Sequence, residues 1–167
     1  MIKVRKIKMA ELTYAELKAL AIFSSSTEYV ATPITATCKA RISKQFRLPE
    51  VVIDAYLRTE NAPDGHIRTN TDGTYDVGPM QINSINWPDV FSSFGVDPFQ
   101  IRFNGCMNLT VGTYLIRKRF DEIKKTEMKN WEIFYRVAAN YHSKTPTVNN
   151  QYRTKWINNF KYVLENK

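Results

Sequence analysis

Apolar residues recur every three or four positions through most of this chain, which is the spacing of one face of an α-helix. The clearest example is the set Ile34, Cys38, Ile42 and Phe46. The pattern breaks once, after residue 60, at two turn-forming clusters followed by residues that favour extended structure. The sequence therefore predicts a mainly α (α+β) single domain with a short β-hairpin or irregular insertion after its third helix.

Prolines, cap residues and the apolar spacing set the bounds of the predicted helices. The third helix has a nearly continuous apolar run, which indicates a central, buried element. The predicted helical segments are 10–24, a helix opened by Pro33, a helix from Pro49 to Glu60, a turn or two around Trp87 and Phe91, a short segment from Asp97, 104–124, 130–141 and about 148–164.

Composition narrows the function classes. A chain of 167 residues suits one domain with a sizeable core. Its net charge of +8 predicts attraction to a polyanion, which leaves nucleic acid, acidic lipid or bacterial cell wall as candidates. Acidic residues interrupt the basic segments and no nucleic-acid-binding motif is present, so we expect no nucleic-acid partner. No apolar run is long enough to span a membrane.

The N-terminal residues resemble the basic region of a signal peptide, but acidic residues break the apolar stretch that should follow. The sequence therefore shows no evident export signal. The protein is then cytoplasmic, a trimmed mature form, or exported by an unconventional route.

Cys38 and Cys106 stand 68 positions apart and have no metal-ligand spacing to the two histidines. The residues alone leave two interpretations open. The cysteines are either two buried thiols or one disulfide formed in an oxidising compartment.

Glu60 is the first candidate for chemistry. Most glutamates at a helix end are simply exposed to solvent. Here the helix dipole disfavours a negative charge at the C-terminus, and the apolar face of the helix lies beside the side chain. A partly desolvated carboxyl has a raised pKa and keeps its proton near neutral pH, as a general acid requires.

Three blocks, in order, resemble the soluble lytic transglycosylase family, and most closely its small members associated with type IV secretion, conjugation and type IV pili. They are the helix end at 56–61 (Tyr-Leu-Arg-Thr-Glu-Asn), the 78–83 block (Gly-Pro-Met-Gln-Ile-Asn) with its approach at 70–76, and the 139–143 block (Ala-Asn-Tyr-His-Ser). The resemblance covers roughly residues 36–160. It implies a lysozyme-like domain at 31–167. Residues 1–30 are then an N-terminal extension, in which the apolar spacing of 10–24 predicts one helix.

The resemblance implies an enzyme that cleaves the MurNAc–GlcNAc β-1,4 bond of peptidoglycan, with Glu60 as general acid and then base, and closes a 1,6-anhydro ring without a cofactor or metal. It implies that the hydroxyl of Tyr141 orients Glu60, although a tyrosine in this position is otherwise a core aromatic. The implied sugar-binding residues are Gly78, Met80, Gln81 and Asn83. The two amides suit a polymer rich in hydroxyl and acetamido groups.

Three positions depart from the family pattern. One is Asn61, which follows Glu60 where serine is common. Asp76 stands where serine is usual, and it either pins the turn or acts as a second carboxylate that activates water, as in a lysozyme-type hydrolase. His142 stands where asparagine is usual, and it is either a satisfied polar core residue or a pH-sensitive sugar contact. A non-catalytic wall-binding module is a further alternative.

Related secretion-associated members carry a cysteine pair at similar places, so the resemblance favours a Cys38–Cys106 disulfide. It also implies location in the periplasm or cell envelope. The expected partners are peptidoglycan glycan strands and components of a secretion, conjugation or pilus apparatus, and we expect a monomer. Residues 1–30 lie outside the resemblance. Three roles are open for them: an added helix docked on the domain, a partner-binding segment, or a replaced leader.

Overall fold

The structure, a computed structural model, describes residues 13–23, 29–123 and 130–167. A turn of 3₁₀-helix at Ser84–Asn86 follows the strand Ile82–Asn83. The helices are α1 Tyr14–Phe23, α2 Ala36–Phe46, α3 Glu50–Glu60, α4 Trp87–Phe94, α5 Pro98–Phe103, α6 Gly105–Asp121, α7 Trp131–Ala139 and α8 Pro146–Glu165, and the strands are β1 Ile67–Thr69, β2 Tyr75–Val77 and β3 Ile82–Asn83.

The predicted fold class is confirmed: the domain is mainly helical and α+β, with a small three-stranded antiparallel sheet after the third helix. The predicted role of Pro33 is wrong. The side chain of Thr35 accepts a hydrogen bond from the amide of Cys38, so Thr35 caps α2 and the helix begins at Ala36. Residues 10–12, 24 and 124 of the predicted helices lie outside the described residues.

Helix α3 lies at the centre of the core, as its apolar run predicts. Ile53 and Tyr56 are fully buried, and the ring of Tyr56 packs against the buried ring of Trp156 on α8. The hydroxyl of Tyr56 donates a 2.8 Å hydrogen bond to the carbonyl oxygen of Ala138 at the end of α7. Because α7 and α8 are both tied to α3 in this way, the last turn of α3 has a fixed position.

The sheet brings three polar residues together across its strands. Arg68 of β1 pairs with Asp76 of β2, which pairs with Asn83 of β3. Cross-strand partners have side chains on the same face of a sheet. The short sheet therefore carries one polar row, beside the end of α3.

A disulfide joins Cys38 of α2 to Cys106 of α6, which confirms the pairing. It links the helix that precedes α3 to the long helix that runs beneath the sheet. Within residues 13–23, 29–123 and 130–167, no helix is long and apolar enough to cross a membrane.

Helix α1 packs against the rest of the domain. Leu17 is buried, and the hydroxyl groups of Tyr14 and Ser84 are hydrogen-bonded at 2.8 Å. The ammonium group of Lys18 donates a 3.0 Å hydrogen bond to the carbonyl oxygen of Gly73, in the turn between β1 and β2. The helix therefore supports the turn that precedes Asp76.

Candidate active site

A cleft of about 420 Å³ lies between the sheet and the ends of α3, α6 and α7. Most of the side chains that line it are polar or charged, which suits a hydroxyl-rich ligand. The cleft is lined by Glu60, Arg68, Asn70, Asp72, Thr74, Asp76, Gln81, Ile82, Asn83, Ile85, Asn86, Leu115, Arg119, Asn140, Tyr141, His142, Ser143 and Lys144.

Glu60 is the last residue of α3 and its side chain is half-buried. The next residue, Asn61, has φ 48° and ends the helix in a left-handed conformation. Thr59 is fully buried, and its hydroxyl accepts a 3.1 Å hydrogen bond from the side-chain amide of Asn159 on α8. The backbone on both sides of Glu60 is therefore fixed, so the carboxyl is held in the cleft.

Burial raises the pKa of Glu60 from 4.5 to about 7. The hydrogen bond from Tyr152 and the positive charge of Lys155 act in the opposite direction, and the charge of Asp76 adds to the rise. Desolvation dominates because the carboxylate loses more water contact than these partners replace. At neutral pH a large fraction of Glu60 is protonated, which is the state a general acid needs.

The hydroxyl of Tyr152 donates a 2.5 Å hydrogen bond to Oε1 of Glu60. The sequence prediction gave this contact to Tyr141, whose hydroxyl instead donates a 2.6 Å hydrogen bond to the carbonyl oxygen of Met80. Tyr141 nevertheless lines the cleft beside Glu60. Burial raises the pKa of both phenols well above the ordinary value, so both stay protonated and act as donors.

We expect Tyr152→Phe to lower the activity of the protein about tenfold, which corresponds to one hydrogen bond to a charged group. Because the Tyr152 hydrogen bond lowers the pKa of Glu60, its removal should raise that pKa further. The basic limb of the pH–rate profile should then move to higher pH. Tyr162→Phe, at an exposed position of the same helix, is the control. A Tyr152→Phe profile that superimposes on the wild type would show that the contact has no such role.

Asp76 lies in β2 and is almost fully buried, with 8% of its surface exposed. One carboxylate oxygen accepts hydrogen bonds from Arg68 at 2.8 Å and Asn70 at 3.0 Å, and the other accepts one from Asn83 at 2.9 Å. These contacts support the interpretation that Asp76 pins the sheet. Asp76 also lines the cleft together with Glu60, so the second interpretation, a carboxylate that acts on substrate, stays a prediction.

The turn at 78–81 depends on a close approach between backbone and a buried asparagine. Gly78 has φ 66°, and a Cβ atom there would lie 2.1 Å from the side-chain nitrogen of Asn108. That side chain of α6 donates to the carbonyl oxygens of Val77 and Ile101 and accepts from the amide of Met80. Glycine is thus required for both its conformation and its lack of a side chain.

The structure brings only some of the predicted sugar-binding residues to the cleft. Gln81 and Asn83 line it. Met80 is fully buried and packs against Gly112 of α6, and Gly78 is buried beside Asn108. Gly78 and Met80 thus lie behind the cleft wall and shape the turn that presents Gln81, and their contribution to binding stays a prediction.

His142 follows the end of α7 and stacks on the ring of Tyr152, with ring centroids 4.7 Å apart. Its partial burial lowers its pKa below the ordinary value, although the nearby charge of Asp76 acts in the opposite direction. Its ring is therefore mostly neutral at pH 7. His142 keeps an exposed surface in the cleft, so it is available for contact with a sugar, as one of the two interpretations requires.

The part of the chain that the structure describes contains no group of three or more His, Cys, Asp or Glu residues that could hold a metal ion. Several polar side chains that line the cleft are hydrogen-bonded to one another. The two amides at Asn70 and Asn83 and the guanidinium of Arg68 all donate to Asp76.

Sequence reasoning missed Tyr152, Arg68 and Asn108. Tyr152 occurs at helical spacing with Trp156 and Phe160, so it is typical of a core face. Asn108, an amide among apolar residues in a long helix, carried a usable signal, because buried amides need hydrogen-bond partners. Arg68 can be identified as the partner of Asp76 only once the register of β1 and β2 is known.

Comparisons with known proteins give a distant match. No protein-family model matches the chain. Invasion protein IagB of Salmonella typhi is 25% identical over 131 residues, which make up 78% of this chain and 79% of that protein. The proteins of the same name from two Salmonella typhimurium strains are 25% identical over 127 residues, or 75% of this chain and 76% of theirs. This similarity supports the lytic transglycosylase resemblance at a coarse level.

Proposed function

We propose that this protein is a peptidoglycan lytic transglycosylase that cleaves the MurNAc–GlcNAc β-1,4 bond and closes a 1,6-anhydro ring. The observation that carries the proposal is Glu60, a half-buried carboxyl with a pKa raised to about 7 at the wall of a polar cleft. The distant similarity to invasion protein IagB supports a peptidoglycan-lytic activity coarsely.

In the proposed reaction, protonated Glu60 gives its proton to the glycosidic oxygen as the bond from that oxygen to C1 of MurNAc breaks. The acetamido group of the same sugar stabilises the oxocarbenium-like centre. Glu60, now a carboxylate, takes the proton of the C6 hydroxyl as that oxygen bonds to C1. The proton therefore returns to Glu60, and no second carboxylate is needed.

Tyr152 has a positioning role in this scheme. Its hydroxyl holds one oxygen of Glu60 and stabilises the carboxylate that forms when the proton is transferred. Tyr141 acts one step further away, because its hydroxyl holds the carbonyl oxygen of Met80 and so fixes the turn before Gln81.

Gln81 offers its side-chain oxygen and one amide N–H to the sugar, because its other N–H donates to the carbonyl oxygen of Gly78. Asn83 offers its side-chain oxygen, because its amide group donates to Thr74 and Asp76.

A lysozyme-type hydrolase is the second candidate, and the observation that favours it is the position of Asp76 in the same cleft as Glu60. In that mechanism, Asp76 assists the attack of water or stabilises the sugar cation, and the product is a reducing end. The three hydrogen bonds to Asp76 leave less of its charge for the substrate, which favours ring closure.

Digestion of purified peptidoglycan, with products separated by mass, distinguishes the candidates. We expect the wild type to release anhydro-muropeptides, one water lighter than hydrolysis products, and Asp76→Asn to release the same species. Glu165→Gln, at an exposed position on α8, is the control for a lost surface charge. Reducing-end products that disappear in Asp76→Asn would instead support the hydrolase. If the wild type releases no fragment, both enzymatic candidates are excluded and the non-catalytic wall-binding module is the remaining interpretation.

The cellular setting is part of the proposal. The Cys38–Cys106 disulfide supports an oxidising compartment, such as the periplasm or cell envelope. The association with a secretion, conjugation or pilus apparatus rests on the family resemblance. Among the three roles considered for residues 1–30, the packing of α1 against α4 and α5 and its hydrogen bonds to Ser84 and Gly73 support an added helix docked on a domain at 31–167.

A further inference from the structure

Two cations at one part of the cleft are not needed by the chemistry of Glu60. Arg119, near the end of α6, and Lys144, between α7 and α8, both line the cleft. Both pair with Glu122, at 2.9 Å and 2.7 Å, and Glu122 itself is not part of the lining. The charges that act on the pKa of Glu60 are those of Lys155, Asp76 and Arg68.

The charge balance in this part of the cleft is positive. The hydrogen bond from Lys144 lowers the pKa of Glu122, with a smaller contribution from Arg119, so this carboxylate is ionised at neutral pH and holds the two cations together. One carboxylate offsets one of the two positive charges. The guanidinium of Arg68, by contrast, is compensated by Asp76 within the cleft.

Geometry allows the pair to accept a further anion. The side chain of Lys144 is 59% exposed and that of Arg119 is 27% exposed. Each has several N–H donors, and Glu122 engages only part of them. Because the pair connects two walls of the cleft, an acidic group on a bound glycan strand would contact both walls.

We propose that Arg119 and Lys144 form a subsite for the carboxylate carried by the muramic acid residues of a bound strand. This inference rests on the proposed function, since it assumes a peptidoglycan strand in the cleft. The carboxylate belongs either to the lactyl group of the sugar, once the peptide is removed, or to the attached stem peptide. A glycan without muramic acid has neither group and gains nothing from the pair.

Binding measurements test the subsite without interference from turnover. Glu60→Gln serves as the background, and calorimetry at low salt measures its dissociation constants for three tetrasaccharides. The first is a peptidoglycan fragment with stem peptides, the second is the same fragment with the peptides removed and the lactyl carboxylates free, and the third is chitotetraose, which has no carboxylate.

We expect Arg119→Gln and Lys144→Gln each to weaken binding of the peptide-bearing fragment about threefold, the effect of one partly exposed ion pair. Binding of chitotetraose should not change. Raising the salt concentration should reduce the difference. Lys118→Gln is the matched control, because Lys118 lies on the same helix and pairs with Asp89 outside the cleft.

The pattern of losses identifies the group bound. A loss confined to the peptide-bearing fragment assigns the subsite to the carboxylates of the stem peptide. A loss confined to the peptide-free fragment assigns it to the lactyl carboxylate, which is free only there, and a loss with both fragments shows that the two cations accept either group. Equal losses on all three ligands, or no loss on any, would overturn the subsite while leaving the proposed function intact. Failure of all three to bind when both cations are present would overturn the proposed function as well.

Discussion

Glu60→Gln should reduce the release of fragments from purified peptidoglycan about a thousandfold, the contribution expected of a general acid. Glutamine keeps the size of the side chain and can still accept the hydrogen bond from Tyr152, but it has no proton to give to the glycosidic oxygen. Initial rates of release at pH 6 to 7, with products separated by mass, measure the loss. The control is Glu165→Gln, which should match the wild type.

The loss should occur without unfolding. The pKa of Glu60 is about 7 in the folded protein and 4.5 in the reference state, so the folded state keeps a proton that the unfolded chain releases between these values. The free energy of unfolding therefore falls as pH rises through this window. Glutamine does not ionise, so the variant should be at least as stable as the wild type at pH 8. A variant that retains wild-type activity would rule out Glu60 as the acid.

Removal of the disulfide should lower the free energy of unfolding by about 4 kcal/mol, because Cys38 and Cys106 close a loop of 68 positions. Denaturant unfolding of the wild type and of the Cys38→Ala, Cys106→Ala double variant measures the difference. Adding a reductant to the wild type should produce most of the same loss and should leave the double variant unchanged. The same midpoint for the oxidised and reduced wild type would contradict this prediction.

The effect should extend to the cleft. Cys106 stands two residues before Asn108, whose side chain holds Val77, Met80 and Ile101 in place. Movement of the first turn of α6 would disturb the turn that carries Gln81. We therefore expect the reduced protein to lose affinity for glycan at temperatures where it is still folded.

Much of the fold follows from local patterns in the sequence. The apolar run of α3 correctly indicated a buried central helix. The turn clusters after Glu60 indicated a short β-hairpin or irregular insertion, and the structure has a hairpin extended by a third short strand. The predicted role of Pro33 was wrong because proline only favours the first position of a helix, whereas the side chain of Thr35 makes the capping hydrogen bond.

The candidate site was harder to predict, because its contacts join residues far apart in the chain. Tyr152 reaches Glu60 across 92 positions, and Tyr141 reaches Met80 across 61. The sequence alone does not show whether the hydroxyl of Tyr141 or that of Tyr152 contacts Glu60. Only the packing of α7 and α8 against α3 decides which hydroxyl meets the carboxyl.

The most direct test of Glu60 as the general acid is a pH titration of its side-chain carboxyl, followed by carbon-13 NMR. The carboxyl signal is assigned as the one that is missing from the spectrum of Glu60→Gln. We expect a pKa of about 7, because the carboxyl loses contact with water in the cleft. A value at the ordinary 4.5 would mean that Glu60 is ionised at neutral pH and has no proton to donate, and this would contradict the proposed mechanism.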